Sequence, residues 1–139
     1  MRALLFNAKN YRVEFDSLAN KPKNIVHEEV KGKEKQECQD CVVAFITIEK
    51  GDKEEVVVNG ISHEIQKMCK EVKRNKAVIV PFAHLSNNLA EPKIGLKIFK
   101  EIELSLKNKI EVISTHFGSN KSLLLEIYGH AGNARYREF

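Results

Sequence analysis

The hydrophobic positions of this chain follow two rhythms: short apolar runs with the length of strands, and two longer stretches that repeat every three or four residues. Val42 to Ile48 is the most apolar run and reads as a central strand buried on both faces. Ala77-Val78-Ile79-Val80 is a second buried strand, ended by Pro81 because proline has no N–H to give to a sheet ladder. Residues 2–6 and Tyr11 to Phe15 read as a further pair. Tyr11, Val13 and Phe15 alternate with polar residues, and Asn7-Ala8-Lys9-Asn10 predicts the turn of an amino-terminal hairpin. Ile110 to Thr115 and Ser122 to Tyr128 alternate as two more strands, joined by residues 116–121.

The longer rhythm predicts two helices. Val57, Ile61, Ile65, Met68 and Val72 share one face of a helix from about Lys53 to Arg74, and Asp52 and Glu55 have the spacing of a capping box at its start. Gly60 weakens its middle, and Val56-Val57-Val58 also fits a short strand. Ile94, Ile98, Phe99, Ile102 and Leu106 form the buried stripe of a second helix, opened by Glu91-Pro92 after a capped turn at Ser86-Asn87-Asn88-Leu89 and running to about Asn108. From Asp16 to Asp40 the sequence is polar and weakly periodic. It predicts a long, partly mobile connection to which Ile25 and Val26 add at most a short strand. The pattern is α/β, in the mixed α+β sense: a β-sheet core with two main helices in one domain, residues 1–139.

Composition narrows the function classes. With 42% hydrophobic residues in 139, the chain can bury a core of its own. A net charge of +4 tolerates a polyanionic partner without demanding one. No apolar run approaches the roughly 20 residues that span a bilayer, and Met1 to Phe6 is too short for a signal peptide. We therefore expect a cytoplasmic protein with no membrane association. Cys38 and Cys41 have the spacing of a zinc or redox pair, but they lead into a strand, and neither a full zinc ligand set nor a helix start accompanies them. Reduced, structural thiols and no metal are expected.

Candidate chemistry concentrates in two places. Pro81-Phe82-Ala83-His84-Leu85-Ser86 leaves a core strand abruptly and carries a titratable imidazole, where open sheets tend to hold functional groups. Phe117-Gly118-Ser119-Asn120-Lys121 offers a glycine that permits close approach of backbone to a ligand and a lysine fixed at the start of a strand. No nucleophile stands out: Ser86 reads as a helix cap, and none of the cysteines lies in either stretch.

These two stretches, together with Met1 to Phe6, Val43 to Lys50 and Gly129-His130, occur in an order and with separations that resemble the amino-terminal editing domain of archaeal threonyl-tRNA synthetases. The Pro-Phe-Ala-His-Leu-Ser string is the most specific part. The resemblance implies a D-aminoacyl-tRNA deacylase-like fold and a hydrolase that removes wrongly attached L-serine from threonine tRNA. It implies a domain excised from, or expressed apart from, the catalytic body of the synthetase. Domains of this fold often pair as homodimers. Two alternatives stand beside it: a D-aminoacyl-tRNA deacylase, whose signature motifs are absent, and a noncatalytic tRNA-binding or assembly module.

By the same resemblance, Ile48, Pro81, Ala83 and Phe117 would wall a pocket too small for the methyl group that distinguishes threonine from serine. Backbone groups near Thr47 and Glu49 would hold the amino group, with Phe82, Gly118 and Asn120 completing the shell. Lys121 would orient water or stabilise charge, and His84 would hold the sugar or the water network, with the ribose 2′-hydroxyl assisting attack and no cofactor. The chain departs from the family at two places. Asn120 stands where an aromatic hydroxyl is usual, and Asn133-Ala134-Arg135 lacks an acidic residue that would pair with Lys121.

Overall fold

The computed structural model describes residues 1–139. Its elements are β1 (Arg2–Leu18), β2 (Lys35–Thr47), α1 (Glu54–Glu71), β3 (Lys76–Pro81), α2 (Pro92–Lys107), β4 (Glu111–Ser114), β5 (Ser119–Ile127) and β6 (Ala134–Glu138). They form one six-stranded sheet in the order β4-β3-β2-β1-β5, with β6 also paired to β1. β2, β3 and β4 are parallel and joined by α1 and α2. Two crossovers that step the same way along a sheet with the same hand put their helices on one face. Both helices accordingly share one core with that face: Val57, Ile61, Ile65 and Met68 of α1 and Ile98, Phe99, Ile102 and Leu106 of α2 pack with Ala44, Ile46, Ala77 and Ile79. Gly60 sits mid-helix for a packing reason, because a Cβ there would lie 2.5 Å from the Phe139 ring.

The opposite face has no helix. Tyr11, Val13, Cys41, Val43, Phe45, Val78 and Val80 bury there against one another, and Phe6 meets Phe45 edge-on at 5.9 Å between ring centroids. The alternating side chains of β2 and β3 thus serve two cores, which is why these strands read as continuous apolar runs. Cys38 and Cys41 lie in this second core and Cys69 in the first, all unbonded and buried. The Tyr11 hydroxyl is 2.7 Å from Thr115 Oγ1 and ties β1 to the end of β4.

Three expectations need correcting. The amino-terminal hairpin does not form: β1 is a single strand of 17 residues that pairs with β2 along one edge. On its other edge β6 pairs with residues 2–6 and β5 with residues 8–18. The polar stretch at Asn7 marks this changeover rather than a turn. The Asn7 side chain donates to Asn133 Oδ1 at 3.1 Å and accepts from Arg74 Nε at 3.1 Å, so a buried amide is satisfied inside a continuous strand. The capping box does not form either. Lys53 is the N-cap of α1, and Asp52 instead accepts the Glu49 N–H at 2.7 Å and pairs with the Met1 ammonium at 2.7 Å. Finally, Ile25 and Val26 add no strand. Residues 19–34 are irregular but folded back onto the loop after β4, with Ala19 N–H bonded to the Gly118 carbonyl at 2.9 Å and Glu28 N–H to the Phe117 carbonyl at 3.0 Å.

The Tyr11–Thr115 tie is expected to support the loop that follows β4. Tyr11→Phe leaves the buried Thr115 hydroxyl without its partner and is expected to lower the unfolding free energy by about 1–3 kcal/mol in a denaturant titration, the range for an orphaned buried polar group.

Candidate active site

The carboxyl ends of β2 and β3 leave the sheet side by side, because the parallel register sets Ile46 opposite Pro81. Beyond that pair Thr47 and Ile48 continue from β2, and Phe82, Ala83 and His84 from β3. The two exits are laced together: the Phe82 N–H bonds the Ile46 carbonyl at 2.9 Å, and the Thr47 hydroxyl donates to the Phe82 carbonyl. A third segment, residues 86–90, closes over them, with Ala90 N–H on the Ile48 carbonyl at 3.0 Å and Lys50 N–H on the Asn88 carbonyl at 3.0 Å. Ser86 caps this turn by accepting the Asn88 N–H at 3.0 Å and donates to Glu49 Oε1 at 2.5 Å.

A cavity of about 490 Å³ opens between these exits, the first turn of α2 and the 117–121 segment. Its volume is within the range of roughly 300–1,000 Å³ usual for small-ligand sites. Thr47, Ile48, Pro81, Phe82, Ala83 and His84 line one side, and Phe117, Gly118, Asn120 and Lys121 line the other. Glu49 is the one candidate outside the cavity. Its carboxylate is engaged by the Met1 ammonium at 2.9 Å, Arg2 Nε at 3.2 Å and Ser86, and these partners hold it below the usual carboxylate range, the Ser86 hydrogen bond first. Glu49 therefore braces the strand end from behind.

His84 is exposed and held by packing rather than by a hydrogen bond. Its ring meets Phe82 edge-on at 4.9 Å, and Phe82 in turn meets Phe45 at 5.2 Å. Lys121 is half-buried on β5 opposite Phe15, and its ammonium donates to the Ser119 carbonyl at 2.9 Å. Burial pushes its pKa down, and the negative charge of Glu28 partly restores it. The Asn120 amide donates to Ser17 at 3.1 Å. No carboxylate lines the cavity; its charged or titratable lining residues are Lys21, His84 and Lys121. Such a site favours an electron-rich or anionic ligand.

Several lining groups escaped the sequence reading. Ala19, Lys21, Pro22 and Ile25 form a wall contributed by the connection between β1 and β2, and Gly95 and Phe99 one contributed by α2. Glu28, from the same connection, accepts the Phe117 N–H at 2.9 Å and is the acid nearest in effect to Lys121. The segment from Asn133 to Arg135 lies elsewhere. Ala134 pairs with Phe6, whereas Lys121 pairs with Phe15. Nine residues of extended strand separate those partners, roughly 30 Å, so residue 134 does not pair with the lysine within this chain, whatever its type. No sequence signal marks the folding back of residues 19–34, except that Gly118 is required for it. Gly118 has φ +82°, and a Cβ there would meet the Val26 carbonyl oxygen at 2.1 Å.

His116 also went unnoticed. It is fully buried after β4, packs against Phe15 at 6.1 Å, and bonds the Ser119 hydroxyl through Nδ1. Desolvation first, then Lys121 and Lys33, pushes its pKa down to about 4.

A mixed sheet with both helices on one face and a carboxylate-free cavity at the carboxyl ends of its parallel strands defines an α+β domain with a candidate ligand site at one sheet edge. All of residues 1–139 match the family described as the archaea-specific editing domain of threonyl-tRNA synthetase, and the chain belongs to that family. It is 40% identical over 94 residues to the threonine–tRNA ligase editing subunit of Saccharolobus solfataricus, covering 68% of this chain and 24% of that protein. It is 38% identical over 136 residues to the threonine–tRNA ligase of Thermococcus gammatolerans, covering 94% of this chain and 21% of the ligase. A match to the Nitrosopumilus maritimus ligase covers 74% of this chain at 36% identity. The chain thus spans about a quarter or less of the length of the curated relatives it matches.

Gly118→Ala should detach the wall formed by residues 19–30. Both the left-handed backbone and the clash oppose it, and a loss of stability of about 1–3 kcal/mol is expected, with faster proteolysis within residues 19–30 as the specific sign. His116 supplies a pH dependence. Between its ordinary value of 6.5 and about 4, the unfolded chain binds a proton that the folded domain refuses, so stability falls as pH drops through that window. Denaturant titrations of wild type and His116→Gln from neutral pH down to about pH 4.5 check this. An equally steep decline in both would show that His116 is not the cause.

Proposed function

We propose that this domain is an aminoacyl-tRNA ester hydrolase that removes L-serine from threonine tRNA, acting in the cytoplasm with the catalytic body of a threonyl-tRNA synthetase and without a cofactor. The observation that carries this reading is the cavity itself. It gathers the β2 and β3 exits and the 117–121 segment around Lys121 and contains no carboxylate and no thiol. Family membership supports proofreading as its task.

The need for a second site follows from size. One methyl group is worth only about 1–3 kcal/mol in a binding pocket, so a synthesis site shaped for threonine accepts some serine. A pocket that fits serine excludes threonine by steric overlap, which costs a similar amount in a rigid wall. Ile48, Pro81, Ala83 and Phe117 form that wall, and the wall is stiff because hydrogen bonds lace both strand exits. The Ile46 and Ile48 carbonyls each hold one backbone N–H and keep a second lone pair for the substrate's ammonium group.

Water attacks the ester carbonyl carbon, the adjoining ribose 2′-hydroxyl helps to position it, and the Lys121 ammonium stabilises the oxyanion. Collapse of the tetrahedral species breaks the bond to the ribose oxygen, which takes up the proton given up by the attacking water, leaves as a hydroxyl and frees serine. His84, at the rim, holds the sugar. The two exposed or half-exposed amines, Lys21 and Lys121, attract the phosphates of the tRNA end.

Single-turnover deacylation of L-seryl and L-threonyl threonine tRNA tests the proposal. Rapid loss of serine alone is expected, slowed by roughly a hundredfold or more in Lys121→Met. A folded domain that binds the tRNA but cleaves neither ester would leave a binding module, and preference for a D-aminoacyl ester would reassign the substrate.

A further inference from the structure

Residue 119 joins two features that the proposed mechanism uses only in part. Its carbonyl receives the Lys121 ammonium at 2.9 Å, and its hydroxyl is hydrogen-bonded to Nδ1 of His116, which is fully buried. Ser119 lines the cavity, where Thr47 supplies the other hydroxyl, and the Thr47 proton is already given to the Phe82 carbonyl. His116 is neutral near pH 7, so one ring nitrogen carries a proton and the other does not. Nε2 is buried and has no protein partner. An orphaned N–H is the rarer and costlier state in protein interiors, whereas a bare lone pair is better tolerated. The proton therefore belongs on Nδ1, from which it is donated to the Ser119 oxygen. The hydroxyl proton of Ser119 is then left with only a long, 3.5 Å contact to the His116 carbonyl, and it is free to turn into the cavity.

We infer that Ser119 is a further catalytic residue of this site, its hydroxyl donating a hydrogen bond to the carbonyl oxygen of the reacting ester, and that His116 is the positioning residue that occupies the hydroxyl's lone pair and aims its proton. The inference rests on the hydrolase reading above. Ser119 makes no covalent bond to the acyl group: the neutral, buried imidazole has its proton on the nitrogen facing the hydroxyl and cannot act as its base. Lys121 and Ser119 instead form a two-donor cradle whose spacing is fixed by the short chain between them. A donor aimed at the developing oxyanion acts in the transition state more than in the ground state, so it governs rate more than binding.

Four proteins, wild type, Ser119→Ala, His116→Gln and His116→Asn, are compared in single-turnover cleavage of L-seryl threonine tRNA over a range of enzyme concentrations. The amide nitrogen of Asn stands near the place of Nδ1 and that of Gln near Nε2, so only Asn can donate to Ser119. Ser119→Ala is expected to lower the maximal rate by about a hundredfold with half-saturation little changed. His116→Gln is expected to fall nearly as far, and His116→Asn to recover most of that loss. A maximal rate within twofold of wild type in Ser119→Ala would overturn the inference while leaving the hydrolase intact. Equal losses in His116→Gln and His116→Asn would reduce His116 to a packing role and overturn its part. Absence of cleavage by the wild type would instead remove the hydrolase reading, and this inference with it. Nitrogen NMR of the His116 ring gives a readout independent of cleavage. A proton on Nδ1 near neutral pH is expected, and a proton on Nε2 would overturn the aiming of Ser119.

Discussion

The parallel pairing of β2, β3 and β4 is the constraint on which the rest of the site depends. It aligns Ile46 with Pro81 and Ile79 with Ser114, so the chain leaves the sheet at neighbouring points on one edge. Open sheets place ligands beyond the carboxyl ends of such strands, because the segments there are released from the ladder while their roots stay fixed. In this domain Thr47 is the last residue of β2, Phe82 directly follows β3, and His116 lies two residues beyond β4. The two crossover helices hold the alignment by packing as one layer on the sheet, with Ile61, Ile65, Ile98 and Ile102 buried to the last few square ångströms.

The opposite edge of the site is built by contacts distant in sequence. β1 carries β5 to its place beside the cavity, and the connection that follows β1 folds back to meet the loop after β4. Gly118 permits that meeting, since its missing side chain lets the Val26 carbonyl come against the backbone. The same fold brings Glu28 to the neighbourhood of Lys121 and Lys33 to that of His116. The polar half of the cavity is thus an assembly of groups that share no local pattern.

Electrostatics and packing divide the labour. Glu49 and Asp52, with the Met1 ammonium and Arg2, form an ionic brace behind the β2 exit and do not face the cavity. No acidic group lines the cavity, and burial moves Lys121 within it and His116 behind Ser119 toward their uncharged forms. A positive but partly desolvated site suits the developing charge of an ester under attack better than a fully hydrated amine would, because hydrogen bonds and charges act more strongly where water is excluded.

By itself the sequence determined the two cores' principal elements. The apolar runs at 42–48 and 77–80 and the periodicity of 57–72 and 94–106 dictate buried strands and amphipathic helices through local geometry. It also located Pro81 to Ser86 and Phe117 to Lys121 as special, because Pro and Gly there interrupt regular structure. Only the tertiary structure decided that residues 2–18 are one strand: Asn7 resembles a turn until Arg74 and Asn133 are seen to satisfy its amide. It alone placed residues 19–30 in the cavity wall, moved Ala134 far from Lys121, and joined His116 to Ser119. These depend on partners many residues away, and a buried hydrogen bond between such partners leaves no periodicity in the chain to read.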